Sequence, residues 1–166
     1  MNNTTEAYLD IETTGLSFEC CDVTVVGIHV VNGHESQLTQ IIGTDVTPES
    51  IKKALDGVEV IYTYNGSRFD LPFLNYRLDA NLFDTFDHQD LMYTCWKNNL
   101  YGGLKSVERQ LGIPRNLKDV NGFEAIHLWW SYINENDKDA LATLLEYNKE
   151  DVVNLVVLKE KLLQTA

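Results

Sequence analysis

Two acids two residues apart, Asp10 and Glu12, interrupt the otherwise apolar run AYLDIETTG. The run reads as a strand reaching a Thr-Thr-Gly turn, and on a strand residues i and i+2 point to the same face. Any fold must therefore give two like charges one small volume. Such neighbours raise each other's pKa and cost stability unless a proton or cation intervenes, which points to a metal site. The alternative is a strand that ends there with both acids in solvent.

The segments around this strand set the fold class. Ala7 to Ile11, Val23 to Val31 and Gln37 to Ile42 are apolar and β-branched, and Asn32-Gly33 supplies a hairpin turn, so the first third reads as three sequential antiparallel strands. Thr47-Pro48-Glu49 opens a helix to Leu55, and Val58 to Tyr64 follows as a strand ending at Asn65-Gly66. Phe69 to Leu78 has helical spacing, Phe83 to Leu91 holds a short strand, and Met92 to Asn99 is a helix broken by Gly102-Gly103. From Leu104 onward the chain is helical, with stretches at Leu104 to Leu111, Phe123 to Ile133 and Asp137 to Leu163. The last carries Leu141, Leu145, Asn148, Val152, Leu155 and Leu162 near one face and has length enough for a kink. The pattern predicts an α/β fold: a mixed five-stranded sheet, its first three strands antiparallel, flanked by helices, with a helical C-terminal half.

With 166 residues and 44% hydrophobic content, the chain fits one compact core, a single domain over 1–166. No run of about 18 apolar residues is present, so no membrane partner is expected and a cytoplasmic protein is. Cys20, Cys21 and Cys95 lack CxxC spacing and read as reduced, passive thiols. The balance of 13 Lys+Arg against 25 Asp+Glu, a formal net charge of −12, argues against a protein that coats DNA by neutralising phosphates. It is compatible with an enzyme that meets a few nucleotides through bound cations.

Two further segments carry candidate chemistry. Asp70, in YTYNGSRFDLPFL, enters a helix after a strand. A first-turn acid ahead of Pro72 is also what helix capping alone requires. Tyr147 and Asp151, in LLEYNKEDVVNL, form an i, i+4 pair on one helix face. Taken separately, a core-edge tyrosine and a solvated acid explain them equally well.

Taken together, Asp10, Glu12, Asp70 and Asp151, in this order with a tyrosine four residues before the last acid, resemble the DEDD exonuclease superfamily. The match is to its tyrosine (DEDDy) branch, because Glu146 stands where the histidine branch has histidine. LKSVERQLGIPR and LLEYNKEDVVNLVVL are similar to YprB-type ribonuclease H-like domains, relatives in turn of the proofreading domains of family B DNA polymerases. The resemblance runs from about Ala7 to about Leu163. It implies a ribonuclease H-like three-layer fold and a 3′-5′ exonuclease that releases nucleoside 5′-monophosphates from single-stranded DNA or RNA. It further implies two divalent cations, Mg²⁺ or Mn²⁺, the metal-ligand set Asp10, Glu12, Asp70 and Asp151, and Tyr147 as a fifth catalytic residue. By the same resemblance Asp10 bridges the ions, Glu12 and Asp151 complete the nucleophile-side metal, and Asp70 holds the other partly through water. Two metals about 3.5–4 Å apart activate the attacking water and stabilise the leaving oxygen. With an ordinary pKa near 10, Tyr147 is a poor base at neutral pH and suits orientation of that water.

Thr13, Thr14 and Gly15 form the turn after the acid pair and are candidate substrate contacts, although Gly15 also serves merely to permit the turn. Asn65 is a further candidate beside its reading as an Asn-Gly turn, and Asp90 is similarly ambiguous. Arg68, Arg77, Lys105, Arg109, Arg115, Lys118 and Lys149 are the available phosphate contacts, with Lys105 and Arg109 on one helix face. The expected partner is a nucleic-acid 3′ end, and proofreading would need a replication or repair partner in trans. Two rivals stand beside the enzyme: a catalytically inactive nucleic-acid-binding or assembly module of the same fold, and a purely structural cation site.

Overall fold

The computed structural model describes residues 4–165. Its sheet begins with three antiparallel strands, β1 (Glu6–Thr13), β2 (Val23–Asn32) and β3 (Glu35–Ile42), where β-branched runs flank the Asn32-Gly33 turn. Gly33 takes a positive φ of 63°, as the tight hairpin requires. After a 3₁₀ turn at Gly43–Asp45, helix α1 (Pro48–Ala54) starts on a reciprocal cap between Thr47 and Ser50, with proline in the first turn. Strand β4 (Val60–Thr63) then returns parallel to β1.

Helices α2 (Asp70–Leu78) and α3 (Leu82–Thr85) lead to β5 (Asp87–Asp90), parallel to β4. The remainder is helical: α4 (Leu91–Lys97), α5 (Leu104–Leu111), α6 (Gly122–Glu135) and α7 (Lys138–Gln164). The five-stranded sheet has the order β3-β2-β1-β4-β5, which puts β1 at its centre. The expected mixed sheet with three antiparallel strands first is the one observed.

Alternation along β1 divides the molecule into layers. Ala7, Leu9 and Ile11 pack on one side against Ile51 of α1, Leu71, Phe73 and Leu74 of α2 and Leu82 of α3. Tyr8 packs on the other against a cluster that includes Leu91, Cys95, Val107, Leu155, Leu158 and Leu162, from α4, α5 and α7. Asp10 and Glu12 keep step with Tyr8 and so face α7. That helix runs without a break for 27 residues. Its buried face is turned slightly from the expected one: Leu144, Tyr147 and Asp151 are buried, whereas Leu141 and Leu145 are half-buried. The cause is α6, whose Ala125 and Trp129 cover Leu144 and Tyr147.

Candidate active site

Strands β1 and β4 pair only from Glu6–Val60 to Tyr8–Tyr62, after which β1 continues paired with β2 alone. The divergence opens a cleft of about 350 Å³ whose floor carries Asp10, Glu12, Asp70, Tyr147 and Asp151. A cleft at the carboxyl ends of parallel strands is where ligands enter open α/β sheets. Where β4 has turned away, the Ile11 N–H donates instead to Asp70 Oδ1 at 3.0 Å. Asp70 therefore ties α2 to the acid-bearing strand, and the cap position of α2 falls to Phe69, which makes no side-chain capping bond.

One carboxylate oxygen each from Asp10, Glu12 and Asp151 lies within 4.8 Å of the other two. Asp70 lines the same cleft outside that trio. Glu12 Oε1 is buried and has no hydrogen-bond partner among the described residues. A buried, unpaired carboxylate oxygen beside two further carboxylates is costly without a counter-charge, and three hard oxygen donors at this separation fit a divalent cation.

The electrostatics agree. Burial first, and then Asp151, Glu12 and Asp70, push the Asp10 carboxyl well above its ordinary range. Glu12 is raised by burial, then by Asp151 and Asp70. Burial pushes Asp70 up to about 7 against the pull of the Ile11 N–H. It takes Asp151 up to about 6, opposed by the Arg115 guanidinium. Tyr147 is raised by burial and by Asp151, Glu12 and Asp10, so its hydroxyl keeps its proton at neutral pH.

Behind these residues stands a shell of polar contacts that the sequence did not announce. Asn148, fully buried on α7, donates through Nδ2 to the backbone and carboxylate oxygens of Asp10, both at 3.2 Å. Its Oδ1 accepts from Gln40 Nε2 at 3.1 Å. The close approach depends on Gly27, paired with Asp10 across β1 and β2: a Cβ there would lie 2.1 Å from Asn148 Oδ1. A glycine inside a β-branched strand is the available signal for such an approach.

Arg115, expected among the phosphate contacts, is instead buried among carboxylates. It makes a two-pronged bond to Glu108, at 2.9 Å for each prong, and a short one to Asp151. Glu150 accepts from the Asn116 N–H at 2.7 Å, fixing the loop that carries Arg115. Asp90 is structural in its contacts: its carboxylate accepts from the N–H groups of Asn65, Ser67 and Met92, clamping the loop between β4 and α2.

The four candidate substrate contacts separate. Thr13 and Asn65 line the cleft, Asn65 with a positive φ of 62°. Thr14 is engaged with Asp22 through both its backbone N–H and its hydroxyl, each at 2.9 Å. Gly15 faces Cys21, whose Sγ would sit 2.7 Å from an added Cβ, so its lack of a side chain serves the turn. Among the other cations, Arg77 pairs with Asp22, and Lys149 with Glu146. Leu16 and Phe123, unremarked in the sequence, stand at the cleft mouth 85% and 69% exposed.

This arrangement has relatives. The uncharacterized protein YprB of Bacillus subtilis (strain 168) is 33% identical over 108 residues, which cover 59% of this chain and 26% of that protein. The chain thus matches about a quarter of the curated relative's length. The family B DNA polymerase of the hyperthermophilic archaeon Pyrobaculum calidifontis superposes with a TM-score of 0.75 at 18% identity, over 96% of this chain and 24% of the polymerase. A nuclease in its apo form superposes with a TM-score of 0.62, also at 18% identity, over 96% of this chain and 71% of the nuclease. At that identity the two structures speak for the fold alone; the expected resemblance to YprB is found in sequence, and that to a family B polymerase in fold. The model of the RNase_H superfamily matches residues 7–163, taking in the sheet, the acid-lined cleft and most of α7, and the chain belongs to that superfamily.

Proposed function

We propose that the protein is a two-metal-ion 3′-5′ exonuclease that hydrolyses phosphodiester bonds at the 3′ end of single-stranded DNA or RNA and releases nucleoside 5′-monophosphates. The observation that carries this reading is the convergence of Asp10, Glu12 and Asp151 within 4.8 Å on a cleft floor, with a buried Glu12 oxygen left unpaired. Asp10, Glu12 and Asp151 would hold one Mg²⁺ or Mn²⁺, and Asp10 and Asp70 the other. Bound there, the cations would lower the pKa of the attacking water and stabilise the leaving oxygen.

The chain's own residues do the rest. The Tyr147 O–H, held protonated by burial and surrounding acids, donates a hydrogen bond that orients the attacking water. Asn148 fixes the Asp10 carboxylate, and Arg115 fixes that of Asp151. Thr13 and Asn65 flank the reacting end of the strand. Leu16 and Phe123 present apolar surface at the cleft mouth, where a terminal base gains from stacking and burial.

The test is degradation of end-labelled single-stranded DNA and RNA with Mg²⁺ or Mn²⁺, with Asp10→Ala as control. Stepwise shortening from the 3′ end, abolished by Asp10→Ala and by chelation, is expected. Mn²⁺ binding without nucleotide release from either polymer would replace the enzyme with a non-catalytic nucleic-acid-binding or assembly module. Loss of stability alone in Asp10→Ala, with no activity in the parent, would leave a structural cation site.

A further inference from the structure

A second cavity, of about 380 Å³, lies between α5 and the loop that follows it. Its lining is unusual for a chain of net charge −12: Lys105, Arg109, Arg115 and Lys118 converge on it, with Glu108 as the one acid. Lys105, Arg109 and Lys118 have no carboxylate within 4.0 Å among the described residues, whereas four other cations of the structure, Arg77, Arg115, Lys149 and Lys159, are ion-paired.

Arg115 forms the inner wall. Its side chain is more than nine-tenths buried, and two of its nitrogens are spent on Glu108 and Asp151. The third, Nη1, is buried without a hydrogen-bond partner and faces Glu150 Oε2 at 4.0 Å. Lys105 stands between this cavity and the acid cleft, its ammonium 5.0 Å from the centre of the Tyr147 ring. Burial first, and then the Arg115 guanidinium, hold that ammonium below its ordinary range against the pull of Asp151, Glu108 and Glu150.

We propose that this cavity binds a phosphate group, with Arg109 and Lys118 at its mouth, Lys105 on the side of the acid cleft and Arg115 at its inner wall. Three cations without carboxylate partners around one concavity suit a tetrahedral dianion or a diester oxygen pair, with Arg115 as a wall rather than a donor. The identification of that phosphate as a nucleic-acid one rests on the exonuclease reading. It is either a backbone phosphate of the bound strand or the phosphate of the released nucleotide. The pocket also gives an acidic protein a local means of engaging a polyanion.

The test compares wild type, Arg109→Glu/Lys118→Glu and, as a control with the same change in charge, Lys52→Glu/Lys53→Glu on α1. Both altered pairs are exposed and stand apart from the acid cleft. Binding is measured in EDTA by fluorescence anisotropy with a 5′-labelled single-stranded oligonucleotide, and by calorimetry with a nucleoside 5′-monophosphate and with inorganic phosphate.

Arg109→Glu/Lys118→Glu is expected to bind at least one nucleotide probe on the order of tenfold more weakly, as for loss of charge-assisted hydrogen bonds. For the oligonucleotide, the slope of log K against log salt should become shallower by about 0.7 per lost contact. Loss confined to the oligonucleotide assigns the phosphate to the strand; parallel loss of the monophosphate and inorganic phosphate assigns it to the product. Unchanged binding of all probes, or an equal loss in the Lys52→Glu/Lys53→Glu control, overturns the proposal. A pocket effect in a protein that degrades nothing with Mn²⁺ refutes the exonuclease reading alone. Full degradation activity with no pocket effect refutes the pocket alone.

Discussion

Tyr147 shows how a residue's surroundings narrow its chemistry. Its hydroxyl lies in the field of Asp10, Glu12 and Asp151, and burial adds to their effect, so loss of its proton becomes harder than in water. The ring packs in the cluster of Val25, Ala125, Trp129 and Leu144, with the Lys105 and Arg115 cations 5.0 and 5.6 Å from its centre. A group so held acts by donating a hydrogen bond. Tyr147→Phe retains the ring and its packing and deletes only the donor. Single-turnover assays on a single strand should therefore show kcat lower by on the order of 10²-fold, the usual scale for a positioned proton-bearing group. Mn²⁺ affinity measured by calorimetry should stay within about threefold, because the tyrosine supplies no metal ligand. Wild-type kcat in this variant would remove Tyr147 from the reaction.

At the scale of elements, α7 joins packing to chemistry. Its C-terminal half buries Leu155, Leu158 and Leu162 beneath the sheet, and its middle presents Tyr147, Asn148 and Asp151 to β1. The seating relies on Gly27 of β2, so Gly27→Ala should force Asn148 out of its bonds to Gln40 and Asp10. Overpacking of this kind costs about 1–3 kcal/mol, and loss of a group that orients a metal ligand weakens the metal about 10- to 100-fold. Chemical denaturation and Mn²⁺ titration read the two effects separately. Adding Asn148→Ala should recover stability but not affinity; recovery of both would mean that Asn148 does not orient Asp10. The elements themselves were legible in the sequence, since strand alternation, the Asn32-Gly33 turn and the long C-terminal helix are local signals. Asp10, Glu12 and the Tyr147–Asp151 spacing were legible for the same reason. The bonds that organise the site were not. Asn148 reaches Asp10 across 138 residues of sequence, and Asp70 reaches Ile11 across 59. Arg115 looked like any other cation until α5 and α7 brought Glu108 and Asp151 to it. Those pairings exist only once the sheet and helices have assembled.

For the whole molecule, the acid cleft sets a dependence of stability on pH. In the metal-free protein Asp70 titrates at about 7 and Asp151 at about 6, both raised by burial from an ordinary value of 3.8, and Asp10 and Glu12 are raised as well. The folded state therefore binds more protons than the unfolded chain in the window between those values. The sign follows: the stabilising contribution is fully present below about pH 4 and is lost as the pH rises through about 7. Under the proposed reading divalent cations should reverse the loss, because the deprotonated carboxylates that destabilise the free protein would be the ligands of the bound one. Metal at about 100 times its Kd adds about 2.7 kcal/mol, and the gain should be greatest at the alkaline end, where protons no longer compete. Thermal melts from about pH 4.5 to about pH 8 should thus show a Tm that falls with pH in EDTA and a Mg²⁺-induced rise in Tm that grows with pH. Asp70→Asn, which removes one raised carboxyl while keeping its shape, should flatten the EDTA profile. A Mg²⁺ effect of equal size at both ends of the range, or an Asp70→Asn profile parallel to wild type, would show that the buried carboxylates do not take up protons in the folded state as this electrostatic arrangement requires.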